Sequence, residues 1–203
     1  MSIPFQDSET AKNLLRAFAG ESQARNRYDF AANLCQKQEL QAMAFIFQAT
    51  AKQEQAHAKV FWDHLQALNG QNLPIYGAYP IEGTNRILEL LRAAQHNEHE
   101  EHGSVYPSFA AIATQEGFPE AAASFRQIAA IEQLHGERFG LLADQLESGA
   151  LFVSQIETGW MCLNCGHTQN SLETPKQCPV CNHGQGWFIR LELAPWSPVI
   201  KQT

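Results

Sequence analysis

The sequence predicts an all-α four-helix bundle followed by a small C-terminal domain of short strands built around four cysteines. Residues from about 8 to 148 are rich in Ala, Leu, Gln and Glu, with few prolines inside the periodic stretches. Polar groups of metal-ligand type interrupt the apolar seams of all four predicted helices at one level. Four of the five cysteines lie within a short C-terminal stretch. We therefore expect a helical domain over residues 1–150 and a cysteine domain over residues 151–203.

The order of breaks along the chain predicts how the helices are connected. Gly70 ends the second helix, and Gly117 followed by Pro119 marks a stop and a restart. Pro107 should kink or divide the third helix. A long stretch with two prolines, Asn72 to Gly83, is typical of a crossover between two helical hairpins. The predicted helices cover roughly residues 8–37, 39–69, 83–116 and 119–148.

Composition and charge argue against several classes of partner. The 203 residues carry a formal net charge of −7 and show no cluster of Lys or Arg, so neither nucleic acid nor an anionic membrane is expected as a partner. No stretch approaches about 18 uninterrupted apolar residues, so no membrane span is expected. Met1 to Thr10 lacks the pattern of a secretory signal, and a cytoplasmic location follows as the expectation.

The interrupted seams predict a buried metal site. Burying several unpaired carboxylates in one bundle core would be very costly, because the charges lose their water and repel one another. Only cations could neutralise such a cluster. The alternative is that these groups form a charged surface patch on each helix, but the apolar seams of all four helices would then have to rotate at the same level. The groups in question are five carboxylates and two imidazoles: Glu21, Glu54, His57, Glu98, Glu101, Glu132 and His135.

The spacing of these groups indicates a pair of metal ions. The pattern Glu-x-x-His occurs twice, at Glu54–His57 and at Glu132–His135. A separation of three residues places both side chains on one helical face, about 4.5 Å apart along the axis. Two such motifs with further glutamates are typical of carboxylate-bridged di-iron or di-manganese sites. Oxygen-rich ligands with one imidazole per ion favour Fe or Mn over Zn or Cu.

Other polar groups near the seams are expected to play supporting parts. In the polar run of the third helix only Glu98 and Glu101 continue the apolar seam, so its histidines should be exposed or lie behind the ligands: His96, His99 and His102. His64 is interpreted as a hydrogen-bonded core histidine. Tyr28 and Tyr106 could support the metal-binding carboxylates through their hydroxyls, or be ordinary core aromatics.

The C-terminal cysteines predict a second metal site. Twelve residues separate two C-x-x-C pairs, a spacing typical of a tetrahedral thiolate site rather than a disulfide framework. These ligands suit iron, and zinc is the alternative, as in a structural zinc ribbon. Cys35 stands apart and is expected to be a buried apolar residue. The four proposed ligands are Cys162, Cys165, Cys178 and Cys181.

These motifs, in this order, resemble those of the rubrerythrins over nearly the whole chain. The resemblance rests on the segment Phe18 to Tyr28, on the two Glu-x-x-His motifs, on Glu98-x-x-Glu101 before Tyr106-Pro107, and on the terminal C-x-x-C pair. It implies a ferritin-like bundle with a rubredoxin-like domain. One departure is Asn97, next to Glu98, which stands where the family commonly has glycine.

The resemblance also implies ligand roles. Glu54 and Glu132 would bridge two iron ions. Glu101 and His57 would alternate as ligands of one iron when the redox state changes. The terminal ligands would be Glu21, Glu98 and His135, and the four cysteines would hold one further iron.

By the same resemblance the chain would reduce hydrogen peroxide to water in defence against oxidative stress. Its own Fe(Cys)4 centre would relay electrons from an external reductase, and the protein would form a homodimer or a higher homo-oligomer. We further expect Glu101, His57 and Tyr28 to take part in the reaction, Tyr28 by orienting peroxide together with the carboxylates. The alternatives are a ferroxidase that handles iron with oxygen, and a non-enzymatic zinc-ribbon binding protein.

Overall fold

The structure, a computed structural model, describes residues 3–194. Five α-helices are followed by a three-stranded antiparallel sheet. The tail from Pro195 to Thr203, assigned above to the second domain, lies outside the described residues. The helices are α1 Glu9–Lys37, α2 Gln41–His64, α3 Ile87–Glu100, α4 Tyr106–Glu116 and α5 Pro119–Glu147, and the strands are β1 Val153–Cys162, β2 Thr168–Glu173 and β3 Phe188–Arg190.

The bundle consists of two antiparallel hairpins. Helix α1 packs along α2, and α3 with α4 packs along α5. Helix α1 begins at Glu9 because the Ser8 hydroxyl accepts the Ala11 amide at 3.0 Å. The Glu116 carboxylate, from the end of α4, accepts the amides of Glu9 and Thr10 at 3.0 and 2.8 Å. These bonds join the two hairpins at one end of the bundle.

The third predicted helix differs from the regular helix expected. It begins at Ile87 rather than near residue 83, and a π-helical turn, Glu101–Val105, separates α3 from α4. Pro107 lies in the first turn of α4, where its missing amide hydrogen costs least. The sequence therefore predicted the division of this helix, but not the π-helical geometry of the break.

The crossover between the hairpins, residues 69–86, lies across α1. The Tyr79 hydroxyl donates to the Arg16 carbonyl at 2.9 Å, and the Arg16 Nε donates to the Tyr76 carbonyl at 2.9 Å. Further along, Glu82 accepts from Asn97 at 2.7 Å and pairs with Arg27 at 3.1 Å. Asn97, the departure noted above, thus anchors the crossover to α3.

Two apolar clusters fill the bundle on either side of its centre. One contains Tyr28, Phe47 and Phe139, and the other contains Phe61 and Tyr106. The metal-ligand residues predicted from the seams lie between these clusters. Within residues 3–194, none of the helices has the length and apolar character needed to cross a membrane.

The cysteine domain packs on the end of the bundle. Strand β1 forms the centre of its sheet, between β2 and β3. Met161 and Ile189 of this sheet belong to the bundle's own apolar cluster. Gly186 lies against the turn between α1 and α2, so close that a Cβ there would meet the Glu39 carbonyl oxygen at 1.7 Å. The two domains are therefore in direct contact.

Candidate metal centres

The bundle brings the predicted ligands together in two overlapping groups. In each group the four ligand atoms lie within 4.8 Å of one another, and every residue is buried. Both groups share Glu54 and Glu132. The first group adds Glu21 and His57, and the second adds Glu98 and His135.

The two shared carboxylates each present one oxygen to each histidine. Nδ1 of His57 lies 3.2 Å from Glu54 Oε2 and 2.9 Å from Glu132 Oε1. Nδ1 of His135 lies 3.0 Å from Glu54 Oε1 and 2.9 Å from Glu132 Oε2. A carboxylate that divides its oxygens in this way has the geometry of a bridge between two ions.

The donor atoms fit metal ions better than they fit one another. Several of them are buried and have no hydrogen-bond partner within residues 3–194, although they lie close together. Buried polar atoms in proteins are normally hydrogen-bonded, so such a set is suited to binding cations. The atoms are Glu21 Oε2, Glu54 Oε1, Glu98 Oε2, both Glu132 carboxylate oxygens and His135 Nδ1.

Without metal, protons must take over the role of the cations. Burial raises the pKa of Glu21 and of Glu98 well above the usual range, with neighbouring carboxylates adding to the effect at Glu21. Burial would lower the pKa of His57, but contacts with Glu132 and Glu54 outweigh it and raise the pKa to about 9. Metal binding at neutral pH must therefore displace protons.

Two tyrosines hold the outer carboxylates of the cluster. The Tyr28 hydroxyl donates to Glu98, and the Tyr106 hydroxyl donates to Glu21. Both tyrosines are almost fully buried, and they belong to opposite apolar clusters. Of the two alternatives left open above, contact with the metal-site carboxylates is the one that the structure shows.

Glu101 occupies a different position from the other predicted ligands. It belongs to neither four-atom group, and it stands at the first residue of the π-helical turn. It lines a cleft of about 410 Å³ between the crossover and the bundle, together with Arg27, Tyr79 and Tyr106. Burial raises the pKa of Glu101 to about 8, opposed in part by Arg27. In this structure the first group therefore contains His57 and not Glu101.

The remaining histidines lie away from the ligand groups. His96 and His99 are exposed, and His102 is hydrogen-bonded through Nδ1 to the Ala129 carbonyl at 2.8 Å. His64 pairs with the Ser124 hydroxyl at 2.9 Å, as a satisfied core histidine would. Cys35 is fully buried, and burial raises the pKa of its thiol to about 12.

One contact of the site was not predicted. Gln53 lies on α2, one residue before Glu54, and its Oε1 is 2.9 Å from Nε2 of His135. Gln53 is exposed and lies off the apolar seam, so the periodicity that identifies the ligands does not select it. Only the packing of α2 against α5 reveals the contact.

The four cysteines form a second site with matching hairpin turns. Their sulfur atoms lie within 4.8 Å of one another, with separations of 3.7 Å between Cys162 and Cys181 and 3.6 Å between Cys165 and Cys178. A tetrahedral site with metal–sulfur bonds of about 2.3 Å has sulfur separations of about 3.8 Å. The spacing therefore fits a bound metal ion.

Each cysteine pair is closed by a residue with positive φ. Gly166 follows the first pair at φ 76° and Asn182 follows the second at φ 59°. Their amides donate to the carbonyls of Cys162 and Cys178 at 2.8 and 2.9 Å. Glycine and asparagine are the residues that adopt this conformation most readily.

Comparison with known families decides the assignment. The family model described as Rubrerythrin matches residues 12–143, and the model described as Rubrerythrin, rubredoxin-like domain matches residues 160–189. The chain belongs to the rubrerythrin family. This confirms the resemblance and the fold class predicted from the sequence.

Curated rubrerythrins are similar to this chain over most of its length. The protein from Porphyromonas gingivalis (strain ATCC BAA-308 / W83) is 43% identical over 188 residues, which cover 93% of this chain and 92% of that protein. The rubrerythrin from Nitratidesulfovibrio vulgaris is 39% identical over 186 residues, covering 92% and 96%.

Solved structures show the same fold. Nigerythrin in its mixed-valence state superposes with a TM-score of 0.60 at 24% identity, covering 91% of this chain and 90% of that one. Symerythrin from Cyanophora paradoxa, reduced with dithionite, gives a TM-score of 0.58 at 17% identity, covering 72% and 89%. The rubrerythrin chain described here thus combines a candidate di-iron cluster with a rubredoxin-like four-cysteine site.

Proposed function

We propose that this rubrerythrin reduces hydrogen peroxide to water at the buried cluster, with electrons passed on by its four-cysteine site. One observation carries the proposal: Glu54 and Glu132 each turn one oxygen toward His57 and the other toward His135, so the cluster suits two ions side by side. The family relationship and the attached rubredoxin-like domain support electron transfer as its purpose.

Each protein group has a proposed role at the cluster. Glu54 and Glu132 would be shared between the two ions, and Glu21, Glu98 and His135 would complete the ligand sets. Tyr28 and Tyr106 keep the outer carboxylates in place through their hydrogen bonds, so that the site is organised before substrate enters.

The overall reaction consumes two electrons and two protons for each peroxide, and yields two waters. Two ferrous ions in the cluster would supply both electrons at once. Glu101 is well placed to manage protons, because its carboxyl lines the cleft and its pKa is raised to about 8 by burial. We propose that Glu101 and His57 exchange places as ligands when the redox state changes.

The cleft beneath the crossover is the proposed entry for peroxide. It has a volume of about 410 Å³ and leads from Arg16 and Tyr79 to Glu101 and Tyr106. Its lining combines charged and phenolic groups that can hydrogen-bond a small polar molecule. Peroxide entering here meets Glu101 beside the first ligand group.

Electrons are proposed to enter through the rubredoxin-like site. Cys165 is exposed, whereas Cys162 and Cys178 are buried, so the site has one side open to an external reductase. Four free thiol ligands also suit a reducing compartment, which supports a cytoplasmic location. We propose residues 1–150 and 151–203 as the two functional units, within a homodimer or higher homo-oligomer.

Anaerobic stopped-flow mixing tests the proposal. Fully reduced, iron-loaded protein is mixed with hydrogen peroxide and, separately, with oxygen, while the visible band of the oxidised four-cysteine iron reports electron loss. Fast appearance of the band with peroxide and slow appearance with oxygen is expected. Equal or faster reaction with oxygen would favour a ferroxidase. A protein without the band would hold zinc at the cysteines, and the relay would be wrong.

A further inference from the structure

The two histidines of the cluster are held differently. Both turn Nδ1 toward the shared carboxylates, and their rings stack with centroids 5.7 Å apart. Nε2 of His135 is 2.9 Å from Gln53 Oε1. Within residues 3–194, Nε2 of His57 has no such partner. Within the described part of the chain, the motifs Glu54–His57 and Glu132–His135 therefore differ in one respect: only the histidine of the second motif has a hydrogen-bond partner at Nε2.

The contact with Gln53 determines which nitrogen of His135 can bind metal. A neutral imidazole has one N–H donor and one nitrogen with a free electron pair. Gln53 Oε1 is an acceptor, so it favours the form with hydrogen on Nε2 and the electron pair on Nδ1. Nδ1 is also the atom that faces Glu54 and Glu132 at 3.0 and 2.9 Å.

The same contact also restrains the ring. His135 is 2% exposed, and its ring can rotate away from the cluster only by breaking the bond to Gln53. Hydrogen bonds of this kind orient histidine ligands and raise their basicity. His57 lacks this hydrogen bond. It belongs to the first ligand group, and Glu101 lies close to that side of the cluster without belonging to either group.

We propose that Gln53 is a positioning residue that holds His135 permanently toward its metal ion. His57 has no equivalent partner among the described residues, and it is therefore the histidine that can leave its metal ion. The inference deepens the proposed function, since it explains why only one of two similar motifs would change its ligand. It depends on metal binding at the cluster and not on peroxide as the substrate.

Metal titration of the full chain gives the first test. Cobalt(II) is titrated into metal-free wild type, Gln53→Leu and a control, Gln55→Leu, whose exposed side chain lies two residues further along α2. The cysteine site is first filled with zinc in each protein. Gln53→Leu should bind one of the two cluster ions about 10- to 100-fold more weakly, whereas Gln55→Leu should match wild type.

Rescue by a conservative variant separates positioning from a structural effect. Gln53→Glu keeps an acceptor oxygen opposite Nε2 and should restore cobalt affinity to the wild-type value or above it. Proton NMR of the cobalt-loaded proteins should show one slowly exchanging imidazole N–H in wild type and Gln53→Glu. In Gln53→Leu its exchange with solvent should be at least about tenfold faster, because the acceptor is gone.

The outcomes are distinct for the two proposals. If wild type binds no pair of ions at the cluster, the proposed function itself fails. If wild type binds the pair but Gln53→Leu matches it in affinity and N–H exchange, the positioning role of Gln53 is wrong. Failure of Gln53→Glu to restore either property would also overturn that role.

Discussion

The Tyr106 hydroxyl donates its hydrogen bond to Glu21, a residue 85 positions away in the chain. A regular α-helix from Glu98 onward would not direct Tyr106 toward Glu21. Tyr106 follows Glu101 by five residues, which in an α-helix turns the side chain about 140° away from the glutamate. The π-helical turn, Glu101–Val105, holds about one residue more per turn and brings both side chains back to the interior.

Replacing this tyrosine should weaken the metal-free bundle. Tyr106→Phe leaves a buried Glu21 oxygen without its donor, so we expect the free energy of unfolding to fall by about 1–3 kcal/mol. Urea unfolding of metal-free protein at pH 7 measures the change. Tyr76→Phe is the control, because Tyr76 is 86% exposed and should change stability by less than about 0.5 kcal/mol. Equal effects in the two variants would contradict the role of the hydrogen bond.

Removing Glu101 should affect the reaction more than metal binding. Because Glu101 lies outside both four-atom groups, Glu101→Ala should still bind two ions at the cluster. Its reaction with peroxide should slow by about 10- to 100-fold, measured by stopped flow. Glu89→Ala, an exposed glutamate earlier on α3 and outside the cleft, should react like wild type. Unchanged peroxide kinetics in Glu101→Ala would remove the ligand exchange from the mechanism.

The metal-free protein should lose stability as the pH rises from about 6 to 9. The folded-state pKa of Glu101 is raised to about 8 and that of His57 to about 9, so the native state holds protons that the unfolded chain has released. The stability that these two bound protons contribute is complete below the unfolded-state pKa values. It is lost as the pH rises through the folded-state values of about 8 for Glu101 and about 9 for His57. The lowered pKa of Glu54, about 2, acts only in acid and falls outside this range.

Urea unfolding at a series of pH values measures this dependence. We expect the free energy of unfolding of metal-free protein to fall by at least about 2 kcal/mol across this range. The matched measurement uses protein loaded with manganese, in which the ions replace the protons and the slope should be much smaller. A metal-free protein whose stability rises with pH would contradict the proton occupancy of the cluster.

A single methyl group should separate the two domains. In Gly186→Ala the new Cβ would lie 1.7 Å from the Glu39 carbonyl oxygen, and a backbone atom cannot move aside cheaply. We expect faster proteolysis near residues 149–152 and slower electron exchange between the cysteine site and the cluster. Gly184→Ala is the control, since a Cβ there would meet no atom within 4 Å. Identical proteolysis of both variants would show that the contact does not hold the domains together.

The sequence predicted the ligand groups well because burial and helical period act together on them. Glu54, His57, Glu132 and His135 stand on regular seams, and the structure keeps these seams in register. The seam of the third helix, continued with the same period, selects Val105. The structure instead buries Tyr106, because a π-helical turn does not follow that period. Gln53 was missed because an exposed residue leaves no signal in the hydrophobic pattern.

The π-helical turn also predicts how the chain would respond to the loss of a single residue. Deleting Gly103, which is exposed and whose surroundings are open, would let the segment from Glu101 to Tyr106 adopt α-helical instead of π-helical spacing. Tyr106 would then follow Glu101 by four residues, about 40° apart around an α-helix, so both side chains would still face the interior. The shorter chain would thus keep its tyrosine directed at the cluster, and alignment with a relative that lacks the turn would require a one-residue gap here.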